Sequence, residues 1–347
     1  NAPYGSCPDC KGLGVKYKID VDLVIPDKNK SILEGAIKPI NLDEESSIMY
    51  TELTTLADYY HIDLSKPVKD LTKEELNLIG YDILEPRILN AANYGVPQRR
   101  NRIIIMAYKK GMEPPSYPEP THDENNIVSL QDAIGDLIGN QKIKNDVNPS
   151  LTQYQLDSIN GRTPNVDGKP IASKMILNND LSRHLQLIKE RFSLFDEGES
   201  GTNLRNRIIT EGIDLSGKPT ILNHLANNSK FTKDEIIEKF KNVDVDDKLV
   251  NSLLTKKNMR HRLSRKEPSA TIVTIPDDYI SPFENRTLTV RESARLQSFD
   301  DSFEFLGKRT TGGKRRRIEV PQYSQVGNAV PPLLAKAVAK EILKVIE

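Results

Sequence analysis

"NYGVPQRRNRIIIMAY", residues 93–108, sets a turn, a group of cations and an apolar run side by side. Asn-Tyr-Gly-Val-Pro is turn chemistry. The run from Arg102 to Tyr108 has the composition of a buried strand, and Arg87–Asn90 reads as a second one across the turn. Gln98, Arg100 and Arg102 alternate, so an extended backbone points all three to one side as it enters the strand. Arginines beside a dry strand are costly unless they meet anions or carbonyl oxygens. A ligand-binding role and a purely structural ion-pair role both meet that condition.

Around this stretch lies a chain of 347 residues, long enough for two or three domains. It is 37% hydrophobic and 28% charged, the balance of a soluble globular protein. The longest apolar run, Ile103–Tyr108, is far too short to span a bilayer, and the first residues lack the pattern of a signal peptide. No membrane partner and a cytoplasmic location are therefore expected. Net charge is zero, so nucleic-acid affinity has to come from local patches. "KKNMRHRLSRK" supplies Lys256, Lys257, Arg260, Arg262, Arg265 and Lys266 without an acid, and "KRTTGGKRRR" supplies residues 308–317. Solvated surface balanced by acids such as "VDVDD" at 243–247 is the competing reading.

Helices are expected at Tyr50–Tyr60 and from Thr72, where Glu75 completes a capping box. Another is expected through Leu181, Leu185, Ile188 and Phe192, a further one from Thr232, and a last one after Pro331 and Pro332. "EPPSYPEPTH" at 113–122 cannot hold regular structure. "GIDLSGKP" at 212–219 approaches a phosphate loop but places Pro219 where a hydroxyl must follow the lysine. "GLG" at 12–14 lacks the third glycine of a dinucleotide fingerprint. The five histidines are too scattered for a metal site, whereas Cys7 and Cys10 have zinc spacing but make half of a tetrahedral set.

Two further stretches complete the pattern. In "RTLTVRESARLQSFDDSF" at 286–303, Thr289 and Glu292 form a capping box. The helix it starts turns Val290, Ala294 and Leu296 inward and sets Arg291 and Arg295 one turn apart. By itself that is an ordinary amphipathic helix. In "QVGNAVPPLLAKAVAKEI" from Gln325, a Gly327–Asn328 turn leads into a Pro-initiated helix and exposes backbone groups and an amide. In this order the three stretches resemble motifs VIII, IX and X of the DNA cytosine-5 methyltransferases. "DAIGDL" at 132–137, "ERFSLFDEGES" at 190–200 and "RKEPSATIVT" at 265–274 resemble that family's connecting sequence.

The resemblance implies an α/β fold with an incomplete Rossmann-like sheet and a mixed α+β target-recognition domain. It implies that Arg100 and Arg102 contact a flipped-out cytosine and that Gln98 fixes their loop. Arg291 and Arg295 would tie their helix to the target-recognition region and to DNA. Asn328, Ala329 and Val330 would line an S-adenosylmethionine pocket. Arg260, Arg262 and Arg265 suit phosphate contacts on double-stranded DNA, which position a protein without reading sequence. Flipping is needed because ring carbon 5 is otherwise out of reach in the stack. The family's Pro-Cys nucleophile, Glu-Asn-Val glutamate and glycine-rich cofactor loop do not occur in these 347 residues. Methyl transfer is therefore expected only with a complementary polypeptide carrying motifs I–VI.

Residues 1–37 and 60–76 resemble UvrA, the damage-recognition ATPase of bacterial excision repair. There Cys7 and Cys10 would be the second half of a four-cysteine zinc module. The expected division is 1–79 UvrA-like, 80–114 motif VIII strands, 115–285 target recognition and 286–347 motifs IX and X. The rival readings are a non-catalytic or vestigial DNA-binding fusion and an excision-repair zinc fragment.

Overall fold

The computed structural model describes residues 25–37, 48–71, 81–109, 111–139, 150–164, 167–173, 175–254, 260–275, 278–311, 315 and 319–346. Cys7, Cys10, the helix expected from Thr72, and Lys256 and Lys257 lie outside the described residues. The chain separates into two units. One comprises Asn1–Leu84 with Met106–Pro114, the other Glu85–Ile105 with Pro115–Glu347.

Helix α1 (Ile48–Tyr60) starts two residues before the expected position and ends where His61 turns left-handed, φ +55°. Four short strands follow: β1 (Tyr81–Ile83), β2 (Arg87–Asn90), β3 (Asn101–Ile104) and β4 (Ala107–Lys109). In the first unit β1 pairs antiparallel with β4, and Val68 N–H donates to Lys30 O at 3.0 Å to close a turn beside a Ser31–Pro67 bridge.

In the second unit β2 and β3 form an antiparallel hairpin, with Ile88 opposite Ile103. The Asn90 side chain organises its turn, accepting from Ala92 N–H at 3.3 Å and Arg100 N–H at 3.1 Å. Gly95 completes the turn at φ +77°, where a Cβ would lie 3.0 Å from the His122 ring. The expectation of two buried strands is corrected here. Leu89 is buried, but Ile88, Ile103 and Ile105 are each more than 60% exposed, with no described residue covering them.

Next come α2 (Leu130–Ile134), α3 (Gln153–Asn160), α4 (Gln186–Phe192), α5 (Gly201–Thr210), α6 (Pro219–Asn227), α7 (Lys233–Lys241) and α8 (Asp247–Leu254). Helices α4–α8 enclose one apolar core, with Leu204, Ile208, Leu225, Ile236, Phe240 and Leu253 at its centre. Thr232 caps α7 in the box read from sequence. Helix α4 starts later than its apolar spacing suggested. Leu185 is its N-cap and lies exposed, because residues 180–184 are held as a loop by hydrogen bonds to other segments.

Two-residue strands β5 (His261–Arg262) and β6 (Tyr279–Ile280) run parallel, the one parallel pair among the described residues. The 115–285 region carries α2–α8 together with β5 and β6, and no described ladder exceeds two strands. Helices α9 (Val290–Leu296), α10 (Gln322–Asn328) and α11 (Pro332–Ile346) finish the chain. A second core joins α2, α3, α9 and α10 through Leu130, Ile134, Tyr154, Ala294, Phe305, Tyr323 and Val326. The expected Gly327–Asn328 turn is instead the last turn of α10, while the Pro-initiated helix after it stands as α11. No described helix is long and apolar enough to cross a membrane.

Candidate functional site

Gln98 sits at the centre of the junction among the three stretches. It is fully buried, and both ends of its amide are used. Nε2 donates to Leu296 O and to Gln297 Oε1, each at 3.0 Å, while Oε1 accepts from Ile272 N–H at 2.8 Å. Gln297 Nε2 donates in turn to Val326 O at 2.8 Å. Arg100, also buried, donates to Ile272 O at 3.2 Å, Gly327 O at 3.0 Å and Ala329 O at 3.4 Å. Burial, with Arg102 nearby, lowers its pKa to about 10, so it remains a cation at neutral pH. Its Nε has no hydrogen-bond partner among the described residues.

These bonds explain the alternation seen in sequence. Gln98 and Arg100 face inward, whereas Arg99 turns out to Glu267 at 2.5 Å. The third member of the alternating set, Arg102, is half-exposed, and among the described residues its guanidinium donates only to the adjacent Asn101 O, at 2.7 Å. Its guanidinium is therefore accessible.

Helix α9 departs from the amphipathic expectation, because all seven of its residues are buried. Its arginines are tolerated because acceptors surround them. Arg291 donates to Leu177 O at 2.9 Å, Asp300 O at 3.0 Å and Phe303 O at 2.5 Å. With only carbonyls in direct contact, burial holds its pKa down to about 10. Arg295 instead meets carboxylates. Its Nε and Nη2 grip Asp301 at 2.9 and 2.8 Å, and Nη1 reaches Asp136 at 2.5 Å and Ala133 O at 3.1 Å. Burial works against its charge, but Asp301 and Asp136 outweigh it and raise the pKa. Arg286 is similar: burial opposes its charge, yet a two-pronged bond to Glu292, both arms 2.7 Å, raises it. Glu292 also completes the Thr289 capping box. The structure therefore places Arg291 and Arg295 inside the protein, tying α9 to residues 133–136, 177 and 300–303.

The basic stretch is also largely engaged. Arg262 is buried and donates to Phe192 O at 2.9 Å and to Asn285. Arg265 pairs with Glu197, Nε to Oε1 at 2.7 Å. Arg260 lies 5.2 Å over the Phe192 ring. At the end of α10, Asn328 and Val330 are exposed and Ala329 is half-buried. The Asn328 amide makes no hydrogen bond among the described residues. Gly327 must be glycine here: a Cβ would lie 2.8–2.9 Å from the Val273 and Thr274 backbone. Among the described residues no cluster of His, Cys, Asp or Glu is set to hold a metal.

Sequence reasoning missed the groups that satisfy these cations. Asp136 stands in "DAIGDL" and Asp301 in "SFDDSF", where neither acid had been assigned a partner. The available signal was the i, i+6 spacing from Arg295 to Asp301, which reaches across the turn ending α9.

Comparison with known proteins matches residues 64–344 to the C-5 cytosine-specific DNA methylase family and residues 20–101 to the UvrA DNA-binding domain. Type II methyltransferase M.DdeI of Desulfomicrobium norvegicum is 30% identical over 286 residues, covering 79% of this chain and 57% of that protein. Type II methyltransferase M.AquIB of Picosynechococcus is 44% identical over 108 residues, 30% of this chain and 78% of that one. UvrABC system protein A of Staphylococcus epidermidis is 49% identical over 80 residues, 23% of this chain and 8% of that protein. The chain spans between about half and two thirds of the length of the first four methyltransferases it matches.

Proposed function

The chain belongs to the C-5 cytosine-specific DNA methylase family, and from that premise we propose that it is the target-recognition half of a type II DNA cytosine-5 methyltransferase. On this reading it forms one wall of the cytosine and cofactor pocket. It supports methyl transfer from S-adenosylmethionine to cytosine in double-stranded DNA when motifs I–VI come from another polypeptide or segment. The observation that carries the reading is the Gln98–Arg100 junction, which joins residues far apart in sequence through Leu296, Gln297, Gly327 and Ala329. Arg100 serves as the positioning residue that fixes the end of α10. Arg102, left accessible, is the cation available to the target base. Asn328, Ala329 and Val330 would hold S-adenosylmethionine, which supplies the methyl group when bound.

Two observations favour a division of labour. The β2–β3 hairpin turns Ile88, Ile103 and Ile105 to solvent, and a lone hairpin is marginal without packing. That face suits the remainder of a larger sheet. M.AquIB, matched over 78% of its length by 108 residues, is itself a short chain. The test mixes this chain with a polypeptide carrying the Pro-Cys and Glu-Asn-Val blocks of a relative, labelled S-adenosylmethionine and cytosine-containing duplex. Label in DNA only when both are present is expected. Intact DNA binding without transfer in any mixture refutes the divided enzyme and favours a non-catalytic DNA-binding module. Neither Cys7 nor Cys10 follows a proline, which is the feature behind that second reading. The UvrA match starts at residue 20, past both cysteines, and zinc enters only in the excision-repair alternative, which needs bound metal. Metal content below about half an equivalent per chain counts against it.

A further inference from the structure

Of the cations that the sequence singled out at 260–265, Arg262 is buried, Arg260 lies over Phe192 and Arg265 is paired with Glu197, which leaves open where a phosphate backbone is gripped. A cleft of about 720 Å³ offers an answer, lined by Asp180, Leu181, Ser182, Arg183, His184, Lys189 and Arg309. We propose that this cleft, through Arg183 and Lys189 with Arg309 at its base, binds phosphates of double-stranded DNA. The proposal rests on the DNA-target reading above and assigns its contact.

The first support is charge. Three cations face one carboxylate, Asp180, in a chain whose net charge is zero. Arg183 and Lys189 are exposed and form no ion pair among the described residues. Elsewhere on the surface Arg265 meets Glu197, Arg205 meets Asp247 and Lys308 meets Glu319, whereas Arg183 and Lys189 share one cleft. Lys189 is also next to Glu190, yet that carboxylate is turned away, accepting from Ile221 N–H at 2.9 Å. Two exposed cations without acids are free to take an anion and release the counterions of DNA.

The second support is rigidity. The loop carrying Arg183 is fixed on both sides. Arg309 Nη1 donates to Asp180 O at 2.9 Å and Leu181 O at 3.4 Å. Thr287 N–H donates to His184 Nε2 at 3.2 Å, the Thr287 hydroxyl bonds Ser182 Oγ at 3.1 Å, and the Thr289 hydroxyl bonds Asn179 Oδ1 at 2.8 Å. Thr287 and Thr289 lead directly into α9, the helix that Gln98 grips. A phosphate held here is thus referenced to the Gln98–Arg100 junction by a short series of buried bonds. That is how a backbone contact sets register without reading bases. The exposed, polar walls exclude an apolar ligand.

The experiment measures binding of the full chain to a labelled DNA duplex by fluorescence anisotropy across a salt series. It compares the parent with R183Q/K189Q and with a control, R205Q, whose cation is already paired. Each phosphate contact contributes a slope of about 0.9 in log K against log salt. The double variant is expected to lose about two in slope magnitude, with an unchanged urea unfolding midpoint, while R205Q keeps the parent slope. A parent that binds with a slope equal to that of R183Q/K189Q overturns the cleft and leaves the DNA-target reading standing. A parent that binds no duplex overturns both. Tighter binding of an RNA duplex of the same length overturns the assignment to DNA, and loss of inorganic-phosphate binding alone reduces the cleft to a small-anion site.

Discussion

Replacing Arg295 by Met separates two uses of this side chain. The sequence suggested a cation that reaches DNA, whereas the structure encloses it with Asp301, both side chains fully buried, and with Asp136, 11% exposed. In R295M the apolar stem is kept but three carboxylate hydrogen bonds vanish. The Asp301 charge keeps Arg291 at 4.0 Å. Stranding one partner of a buried pair costs about 3–5 kcal/mol. Arg291 offsets part of this, since two charges 4 Å apart attract by about 4 kcal/mol at an effective dielectric near 20. The lower end, about 3 kcal/mol, is therefore expected. With a urea slope of about 1–3 kcal/mol/M, the midpoint should fall by about 1 M or more. Removing the stranded charge as well, in R295M/D301N, should cost less than the sum of the single changes, because the two residues are directly coupled. Urea unfolding followed by circular dichroism measures all three variants. A loss below about 1 kcal/mol for R295M, with the DNA salt slope lowered by about one, refutes the buried-pair reasoning and restores a DNA contact.

Three further changes follow from the same junction and from the helical core. G327A brings a methyl to 2.8–2.9 Å of the Val273–Thr274 backbone, so α10 has to shift at a cost of about 1–3 kcal/mol; an unchanged unfolding midpoint contradicts that close approach. Q98E keeps the shape but points a carboxylate at Leu296 O and Gln297 Oε1, and each lost buried bond costs about 1–3 kcal/mol. Stability equal to the parent in urea excludes the donor role of Nε2. At Glu199 burial raises the pKa, but hydrogen bonds from Arg207 and the Asp196 N–H outweigh it, and the net shift is downward. The folded state therefore binds its proton less readily than the unfolded chain. The stabilisation is present above the unfolded value of about 4.3 and is lost as pH falls through the lower folded value. E199Q should flatten the stability curve in that acid range; an identical curve from pH 5 down to 3 excludes the linkage.

The local punctuation of the chain was legible because it depends on neighbours. The Thr232 and Thr289 capping boxes, β2 and the Pro-started α11 appear where residue order places them, whereas the strand read over Arg102–Tyr108 is divided between β3 and β4. Elements whose surroundings are supplied from afar were misread. The spacing of α9 cannot reveal that Asp136, Leu177 and Phe303 close over its polar side. The apolar composition of Ile103 and Ile105 implied burial, but burial also needs a neighbour on that face. Leu185 has a helical spacing from Ile188 and Phe192, yet bonds from Arg309 and Thr287 to the preceding residues hold the loop just ahead of it.

By itself the sequence determined the family, through "QRRNR", "RESARLQSF" and "QVGNAVPP", and it determined that Pro-Cys and Glu-Asn-Val are missing from these 347 residues. Only the tertiary structure decided which charges are free. An arginine in a sequence carries no record of its partner. Arg100, Arg262, Arg291 and Arg295 are buried with their donors largely committed to carbonyls and carboxylates, while Arg102, Arg183 and Lys189 keep theirs accessible. That distinction rests on desolvation: a buried guanidinium survives only where acceptors replace its water, and some of those acceptors come from segments more than a hundred residues away.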